Sequence, residues 1–282
     1  MELYERIAEY RKKGLDMVLI TVTEKEAMGP ADVGKKMLVV ENGEAFGTIG
    51  GGAIEYFARE KAKEVMISRE SFTEKYVLND KKVEIYSDEV LLKMACGGRV
   101  TLFYEFLGPK QYLYIFGGGH CGAALAKIAK PLGFYITIID SRKEVIDALD
   151  DSADVKIIEG FGDYIDKYGL KDNRYVVVAT PSHIHDFEVL DKIFSKNIKP
   201  AYFGMLCSKK KISDYMASLH SKYGEDLDLS NFYSPIGLDL GGDSPEEVAI
   251  SVASELLANY YHKMDLNSHM RNKLDVHYWE KK

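Results

Sequence analysis

Cysteine is scarce in this sequence, since only three of its 282 residues are cysteines. Cys96, Cys121 and Cys207 lie far apart and form no Cys-x-x-Cys pair. This spacing argues against a disulfide framework and against a zinc site built on paired cysteines. An odd and sparse set of cysteines is typical of reduced thiols, so we expect a cytoplasmic protein.

Three other features are missing, and each argues against a class of function. No apolar run approaches the roughly 20 residues that a membrane-spanning helix needs, so we expect no membrane association. The N-terminal residues are acidic and amphipathic and lack the basic-then-apolar pattern of a secretion signal. The net charge is −7 and no basic stripe stands out, so the electrostatic signature of a nucleic-acid-binding protein is missing.

Residues 1–107 are predicted to form a mixed α+β domain. The Asn42-Gly43 pair is a strong hairpin signal between two short apolar segments. Apolar residues at helical spacing and β-branched runs predict the remaining elements. These are helices over 2–13 and 53–67 and strands over Met17–Val22, Lys36–Val40, Ala45–Ile49 and near 72–78, 82–86 and 99–106.

Residues 108–262 show a different pattern, in which strands and helices alternate. This rhythm predicts a Rossmann-like, doubly wound parallel sheet with helices on both faces, so the chain as a whole belongs to the α/β class. A last helix should start at Ser244 and Pro245, because Ser caps helices well and Pro suits the first turn. Residues 263–282 form a polar tail that we expect to be loosely held. The predicted strands are Tyr112–Phe116, Tyr135–Ile139, Val155–Ile158, Tyr175–Ala179 and Ala201–Phe203.

A glycine-rich loop connects the first predicted strand of this second domain to a helix. Gly117, Gly119 and Gly122 form the pattern Gly-x-Gly-x-x-Gly, which lets the backbone approach a phosphate at a helix N-terminus. Asp140 closes the next strand about twenty residues later, where a carboxylate that binds ribose is expected. The loop predicts a phosphate-containing ligand, with tight strand–helix packing as the alternative. Ser141-Arg142 after the acid leaves both NAD and NADP open.

A second strand-to-helix glycine loop lies in the first domain. Gly50, Gly51 and Gly52 precede the predicted helix that begins at Ala53. These glycines are candidates to hold a second anionic group, since a helix N-terminus attracts anions. A tight turn under a packed helix is the alternative interpretation.

Polar residues follow the predicted strands of the second domain. Because carboxyl ends of parallel strands meet at one sheet edge, we expect His120, Cys121, Thr180, His183 and His185 to gather there and to contribute to cofactor binding. Cys121 has two interpretations, a thiol with a lowered pKa at a helix N-terminus or a small packing residue.

Other residues near this edge leave further alternatives open. His183 and His185 are the only local metal-ligand pair, and a zinc site would need ligands from elsewhere in the chain. Asp186 has a simpler interpretation as the N-cap of a helix over 187–196. Lys209, Lys210 and Lys211 form either a solvated run or a site that attracts an anion.

No recognised catalytic set accompanies these binding features. The sequence has no Gly-x-Ser-x-Gly elbow and no His-Glu-x-x-His helix, and its one Tyr-x-x-x-Lys pattern, Tyr278 to Lys282, lies in the tail. We therefore expect a binding protein without catalytic activity. The alternatives are an NAD(P)-dependent oxidoreductase, which the glycines and Asp140 support equally well, and a dinucleotide-sensing module.

Seven ordered motifs extend over nearly the whole chain. They are Lys36–Val39, Gly47–Glu55, Cys96–Val100, Ile115–His120, Thr180–Asp186, Tyr202–Met205 and Pro235–Asp239. Together they resemble the XdhC and CoxI family, the accessory factors of xanthine dehydrogenase and related molybdenum hydroxylases.

This resemblance implies a role that composition alone does not reveal. It implies a protein that binds molybdenum cofactor, protects it while its terminal sulfur is installed, and delivers it to the hydroxylase. The cofactor is a pterin with a dithiolene and a phosphate, so a phosphate-binding helix end suits it. Cys96 matches the family's cysteine before the glycine pair, which makes it the predicted molybdenum ligand. The implied partners are a hydroxylase subunit of the xanthine dehydrogenase type and a cysteine desulfurase, and we expect a homodimer.

Overall fold

The computed structural model describes residues 2–26, 32–79, 85–93, 97–170, 173–207, 209–224 and 227–264. The chain divides into two compact units, Met1–Pro109 and Lys110–Lys282. Each unit has hydrophobic clusters of its own.

The first unit combines helices with one six-stranded sheet. Its elements are α1 (Leu3–Lys12), β1 (Met17–Glu26), β2 (Lys36–Val40), β3 (Ala45–Gly47), α2 (Ala53–Ser68), β4 (Phe72–Leu78), β5 (Glu89–Leu92) and β6 (Arg99–Phe106). The strand order is β3-β2-β1-β6-β4-β5, and all neighbours are antiparallel except the parallel pair of β4 and β5.

Alternation along β1 gives this sheet two apolar surfaces. Val18 and Ile20 lie in the cluster that includes α2, whereas Met17 and Leu19 pack with Tyr10 of α1. Successive side chains of a strand point to opposite faces, so the two helices cover opposite faces of the sheet. The mixed α+β architecture predicted for this part of the chain is the one observed.

The second unit alternates strands with helices. Its elements are β7 (Gln111–Phe116), α3 (His120–Ala129), β8 (Phe134–Asp140), α4 (Lys143–Asp147), β9 (Val155–Ile158), α5 (Phe161–Tyr168), β10 (Tyr175–Val178), α6 (His183–Ser195), β11 (Tyr202–Met205), α7 (Lys209–Tyr223), β12 (Phe232–Tyr233) and α8 (Pro245–Tyr260). A short 3₁₀ turn follows α3.

These strands form a parallel sheet in the order β12-β11-β10-β7-β8-β9. That is the doubly wound order of a Rossmann sheet, in which the first three strands extend to one side of β7 and the next three extend to its other side, beginning with β10. One face packs against α3 and α8 and the other against α5, α6 and α7. The predicted fold class is therefore confirmed.

Local sequence signals explain where two helices of this unit begin. Ser244 and Glu247 form a capping box at the start of α8, with Pro245 in the first turn, as the sequence predicts. At α6 the N-cap is Ser182, whose hydroxyl accepts from the N–H of His185. Asp186 is therefore inside α6, and its interpretation as the N-cap is wrong.

Some predicted elements differ from the observed ones or lie outside the described residues. The strand predicted near 82–86 is not observed at residues 85 and 86, and residues 80–84 lie outside the described part of the chain. The edge strand β5 begins at Glu89 instead. The tail beyond residue 264 also lies outside the description. No described helix has the length and apolar character that crossing a membrane requires.

Candidate functional site

The glycine loop lies at the topological switch point of the second unit. It follows β7, whose two neighbours are β8 and β10. The segment that begins at Thr180 follows β10, so both segments extend from the same carboxyl edge of the sheet. This edge is where open parallel sheets bind their ligands.

Packing alone requires two glycines of this loop. Gly117 has a φ of +113°, and a Cβ built on it would lie 2.1 Å from the Ala179 carbonyl oxygen. A Cβ on Gly122 would lie 1.9 Å from the carbonyl oxygen of Gly117. The tight-packing interpretation is therefore correct for these two positions.

Gly119 is different, because open space lies in front of it. It is the N-cap residue of α3, with a φ of −64° that any residue adopts. A Cβ at this position would meet only the Arg142 Nη2 atom, at 3.9 Å. The loop thus leaves room at a helix N-terminus, where unpaired N–H groups favour an anion.

Arg142 borders this space and is held there by Asp140. The guanidinium donates from Nε to Asp140 Oδ1 at 2.9 Å and from Nη2 to Oδ2 at 2.7 Å. The backbone N–H groups of Gly118 and Arg142 donate to the same carboxylate, at 2.9 and 3.0 Å. A carboxylate offers about four acceptor positions, and those of Asp140 are filled by the protein itself.

The charge of Asp140 persists although its side chain is fully buried. Burial raises the pKa of the carboxyl, but the hydrogen bonds from Arg142 and Gly118 outweigh burial, so the net pKa lies below its ordinary value. Binding a ribose diol at Asp140 would require Arg142 to move away. In this arrangement the protein presents a cation, rather than a free carboxylate, toward the glycine loop.

His120 and Cys121 occupy the first turn of α3 in different environments. His120 is exposed, whereas Cys121 lines a small apolar cleft together with Leu125 and Leu206. Burial and the nearby charge of Glu246 raise the pKa of the Cys121 thiol. This direction is opposite to the lowered pKa that a helix N-terminus would give, and together with the apolar cleft it favours the packing interpretation.

The segment after β10 forms a buried polar cluster. The Thr180 hydroxyl lies 2.6 Å from Asp186 Oδ1 and 2.8 Å from the Ser182 carbonyl oxygen. Tyr215 donates to the His183 carbonyl at 3.0 Å. These hydrogen bonds fix the start of α6, and the hydroxyls of Thr180 and Tyr215 are used within the protein.

The two histidines of α6 do not converge on one point. The side chain of His183 is exposed, and the His185 Nδ1 atom lies 3.2 Å from Glu188 Oε2 beside the ring of Phe161. Among the residues that the structure describes, no group of three His, Cys, Asp or Glu side chains is placed to bind a metal ion.

A third segment at this edge, residues 234–239, is held by the last helix. The Glu255 Oε2 atom accepts from the Gly237 N–H at 2.8 Å and from the Tyr202 hydroxyl at 2.5 Å. Cys207 lies 3.3 Å from the Ser234 hydroxyl. Nothing local in the sequence indicates the Glu255 contacts, since its partners are 18 and 53 residues away.

The glycine loop of the first unit is filled by its own helix. The Glu55 Oε1 atom accepts from the Thr48 hydroxyl at 2.5 Å and from the N–H groups of Ile49 and Gly51 at 3.1 and 2.9 Å. These amides are therefore engaged, which favours the tight-turn interpretation of Gly50, Gly51 and Gly52. A glutamate three residues into a helix is the signal for such a cap.

Cys96, the predicted molybdenum ligand, and the side chains of Lys209, Lys210 and Lys211 lie outside the described part of the chain. Gly97 and Gly98, which follow Cys96, both have a positive φ. Arg99 begins β6 and borders a polar cavity of about 320 Å³. A cavity of about 340 Å³ in the second unit lies around Pro200 and Phe203, near the start of β11 and at the opposite end of the sheet from the glycine loop.

These features define a Rossmann-type protein with an open glycine loop, joined to an α+β unit. A model of the XdhC Rossmann domain matches residues 113–256, and a model of the XdhC and CoxI family matches residues 10–77. The chain belongs to the XdhC and CoxI family.

The chain is also similar to individual proteins. The uncharacterized protein YqeB of Escherichia coli (strain K12) is 26% identical over 259 residues, which are 91% of this chain and 46% of that protein. A probable xanthine dehydrogenase subunit of Bacillus subtilis (strain 168) is 30% identical over 56% of this chain and 45% of its own length. The chain thus spans about half the length of the curated relatives it matches.

A solved structure has the same fold over almost the whole chain. The crystal structure of a xanthine dehydrogenase from Bacillus halodurans superposes with a TM-score of 0.50, at 20% identity, over 95% of this chain and 98% of that one. At this identity the likeness concerns the fold alone.

Proposed function

We propose that this chain is an accessory protein that binds molybdenum cofactor and holds it for a molybdenum hydroxylase of the xanthine dehydrogenase type. Family membership and the similarity to a probable xanthine dehydrogenase subunit support the accessory role. The observation that carries cofactor binding is the open space at Gly119, bordered by the Arg142 guanidinium.

The residues at this loop fit the phosphate of the cofactor. The first N–H groups of α3 lack helical acceptors, and the Arg142 guanidinium retains donors beyond the two that Asp140 accepts. Charge-assisted hydrogen bonds of this kind bind phosphate strongly. The cofactor itself supplies the pterin dithiolene and the molybdenum, and Cys96 remains the proposed ligand on the grounds of the family resemblance.

The proposed partners follow from the same role. A hydroxylase of the xanthine dehydrogenase type would receive the cofactor, and a cysteine desulfurase would supply the terminal sulfur. We also propose a homodimer and a cytoplasmic location, in keeping with the sparse cysteines.

The alternative function is binding of a dinucleotide, by an oxidoreductase or a sensing module. The strand order and the glycine loop favour it. The Asp140 carboxylate argues against NAD, because its acceptor positions are occupied by Arg142 and Gly118. A dinucleotide with a 2′-phosphate would suit Arg142 better.

A cofactor-retention assay tests the proposal with a matched pair of variants. The purified chain is incubated with molybdenum cofactor, the unbound fraction is removed, and the bound fraction is oxidised to its fluorescent pterin product. We expect a near-stoichiometric signal in the wild type and loss of the signal in Gly119→Asp. The added carboxylate would repel the phosphate, while Asp is a favourable N-cap residue and its Cβ clashes with nothing.

Ala8→Asp is the control, since it adds the same charge at an exposed position of α1 in the first unit. Equal retention by both variants would contradict the site assignment. Absence of a pterin signal in the wild type, together with measurable NADP binding, would favour the dinucleotide function.

A further inference from the structure

The first unit carries a polar cavity that the glycine loop does not account for. A β-bulge at Thr23 shifts the register of β1 against β6, and such bulges redirect the side chains that follow. Beyond the bulge, Glu24 lies opposite Thr101 and Glu26 lies opposite Arg99. The polar side chains at the end of β1 therefore lie beside those of β6 and form a row that crosses the strands.

This polar row extends across four strands. Lys75 of β4 lies opposite both Thr101 of β6 and Glu89 of β5. The Thr101 hydroxyl donates to Glu24 Oε2 at 3.0 Å, which places both side chains on the same face of the sheet. The cavity of about 320 Å³ on this row is lined by Glu24, Lys25, Glu26, Lys75, Tyr86, Glu89, Arg99, Val100 and Thr101. Its volume is within the range of small-ligand sites.

The lining combines fixed charges with groups that face the opening. The Glu89 side chain is 5% exposed, and its carboxylate accepts from Arg99 Nε at 2.7 Å and from the Tyr86 N–H at 2.9 Å. Glu26 is exposed and lies at the end of β1, opposite Arg99. The Tyr86 ring is 62% exposed, and the Arg99 guanidinium lies 5.8 Å from its centroid. The Glu26 carboxylate, the Arg99 guanidinium and the Tyr86 ring thus border the same cavity.

We propose that this cavity binds a pterin ring, as a site of the first unit that is separate from the phosphate site at Gly119. The pyrimidine edge of a pterin presents adjacent N–H donors and a carbonyl acceptor. Glutamate carboxylates accept from such donors, arginine donates to such a carbonyl, and an aromatic ring packs against the flat bicycle. The lining contains three acids and three bases, and its two lysines also pair with Asp32 and Asp88. The choice of ligand rests on the proposed function.

The test uses the full chain and free pterin as the probe. Free pterin carries the ring but no phosphate, dithiolene or metal. Fluorescence titration should show one pterin bound per chain in the wild type and in Gly119→Asp. Glu26→Gln should weaken binding about tenfold, because the charge-assisted hydrogen bond is lost, and Tyr86→Ala should weaken it several-fold. Glu60→Gln is the matched control, since Glu60 is an exposed acid of α2, on the opposite face of the sheet.

Each outcome separates this inference from the proposed function. Retention of molybdenum cofactor by the wild type without any binding of free pterin would overturn the inference and leave the proposed function intact. Pterin binding that Glu26→Gln leaves unchanged would place the ring elsewhere and also overturn the inference. Pterin binding that is lost in Glu26→Gln, in a chain that retains no molybdenum cofactor, would support the cavity and contradict the proposed function.

Discussion

Asp140 and Arg142 show how two residues of one strand end can change what a glycine loop recognises. A carboxylate at this position usually faces the ribose of a dinucleotide. Here its oxygens are occupied by the guanidinium two residues later and by the Gly118 N–H. The same acid therefore orients a cation instead of contacting the ligand directly.

Replacing Arg142 should weaken the binding of molybdenum cofactor and strengthen the binding of NADH. In Arg142→Ala we expect roughly ten- to hundredfold weaker retention of molybdenum cofactor, because a charge-assisted hydrogen bond contributes about 1.5–3 kcal/mol and about 1.4 kcal/mol is a factor of ten. Two acceptor positions of Asp140 would be vacated, so affinity for NADH should rise. The retention assay and an NADH fluorescence titration measure the two effects. Arg142→Lys keeps the charge and serves as the control, and unchanged retention in Arg142→Ala would count against a phosphate contact.

Cys121 should react slowly with alkylating agents. Burial, together with the charge of Glu246, raises the pKa of its thiol, so the thiol is neutral at pH 7.5. We expect iodoacetamide to label Cys121 more slowly than an unstructured cysteine peptide, with a rate that rises as the pH approaches the raised pKa. Peptide mapping by mass spectrometry gives the rate for this cysteine. Labelling as fast as the peptide at pH 7.5 would refute the packing role.

At the scale of elements, the sequence predicts those that have strong periodicity and clear end signals. The capping box at Ser244 and the glycine before α3 mark helix starts that the structure confirms. The edge strands β5 and β12 were not predicted, because strands of four and two residues have too few positions to show a pattern. Asp186 resembles an N-cap in sequence, but Ser182 takes that role and leaves Asp186 buried in the interior.

In the candidate site, contacts between residues close in sequence could be predicted, and contacts between distant residues could not. The glycine loop and Asp140 can be found from spacing alone, since the contacts that matter are between near neighbours in sequence. The pairing of Tyr202 with Glu255, across 53 residues, depends on how α8 packs on the sheet, which no local signal encodes. Cys96 was proposed from the family resemblance, and its role remains a prediction.

The start of α2 should depend on Glu55. Glu55→Ala removes the acceptor of one hydroxyl and two backbone N–H groups, so we expect a loss of about 2 kcal/mol in the stability of the first unit. Glu55→Gln keeps an acceptor oxygen and should lose less. Hydrogen exchange of amides in β1 and β6, followed by mass spectrometry, reports the change.

The same glutamate gives a pH dependence of known sign. Burial raises the pKa of Glu55, but hydrogen bonds from Thr48, Gly51 and Ile49 outweigh burial, so the folded-state pKa lies below the ordinary value. Its contribution to stability is complete above the unfolded-state pKa, about 4.3, and is lost as the pH falls through the lower folded-state value. The stability difference between wild type and Glu55→Gln should therefore shrink below about pH 4. A difference that grows on acidification would contradict the assigned hydrogen bonds.

At the scale of the molecule, the two units have separate hydrophobic cores. Hydrogen exchange in one unit can therefore serve as an internal reference when a substitution alters the core of the other. Glu255→Ala would leave the Tyr202 hydroxyl and the Gly237 N–H without their acceptor inside the second unit. Each buried unsatisfied group costs about 1–3 kcal/mol, so protection against hydrogen exchange in β10 and β11 should fall markedly. Amides of β1 and β6 provide the internal reference, and equal protection of β11 in both proteins would show that the network contributes little.

The contact between Glu255 and the segment at Gly237 also sets an order in time. A ribosome makes the glycine loop and the whole parallel sheet before it makes α8, and domains fold as units during synthesis. Because the segment that carries Gly237 acquires its hydrogen bond only when α8 has emerged, the carboxyl edge of the sheet is completed last. A nascent chain that stalls before this helix would display the glycines but not the finished edge, so loading of any ligand there would wait until translation has passed Glu255.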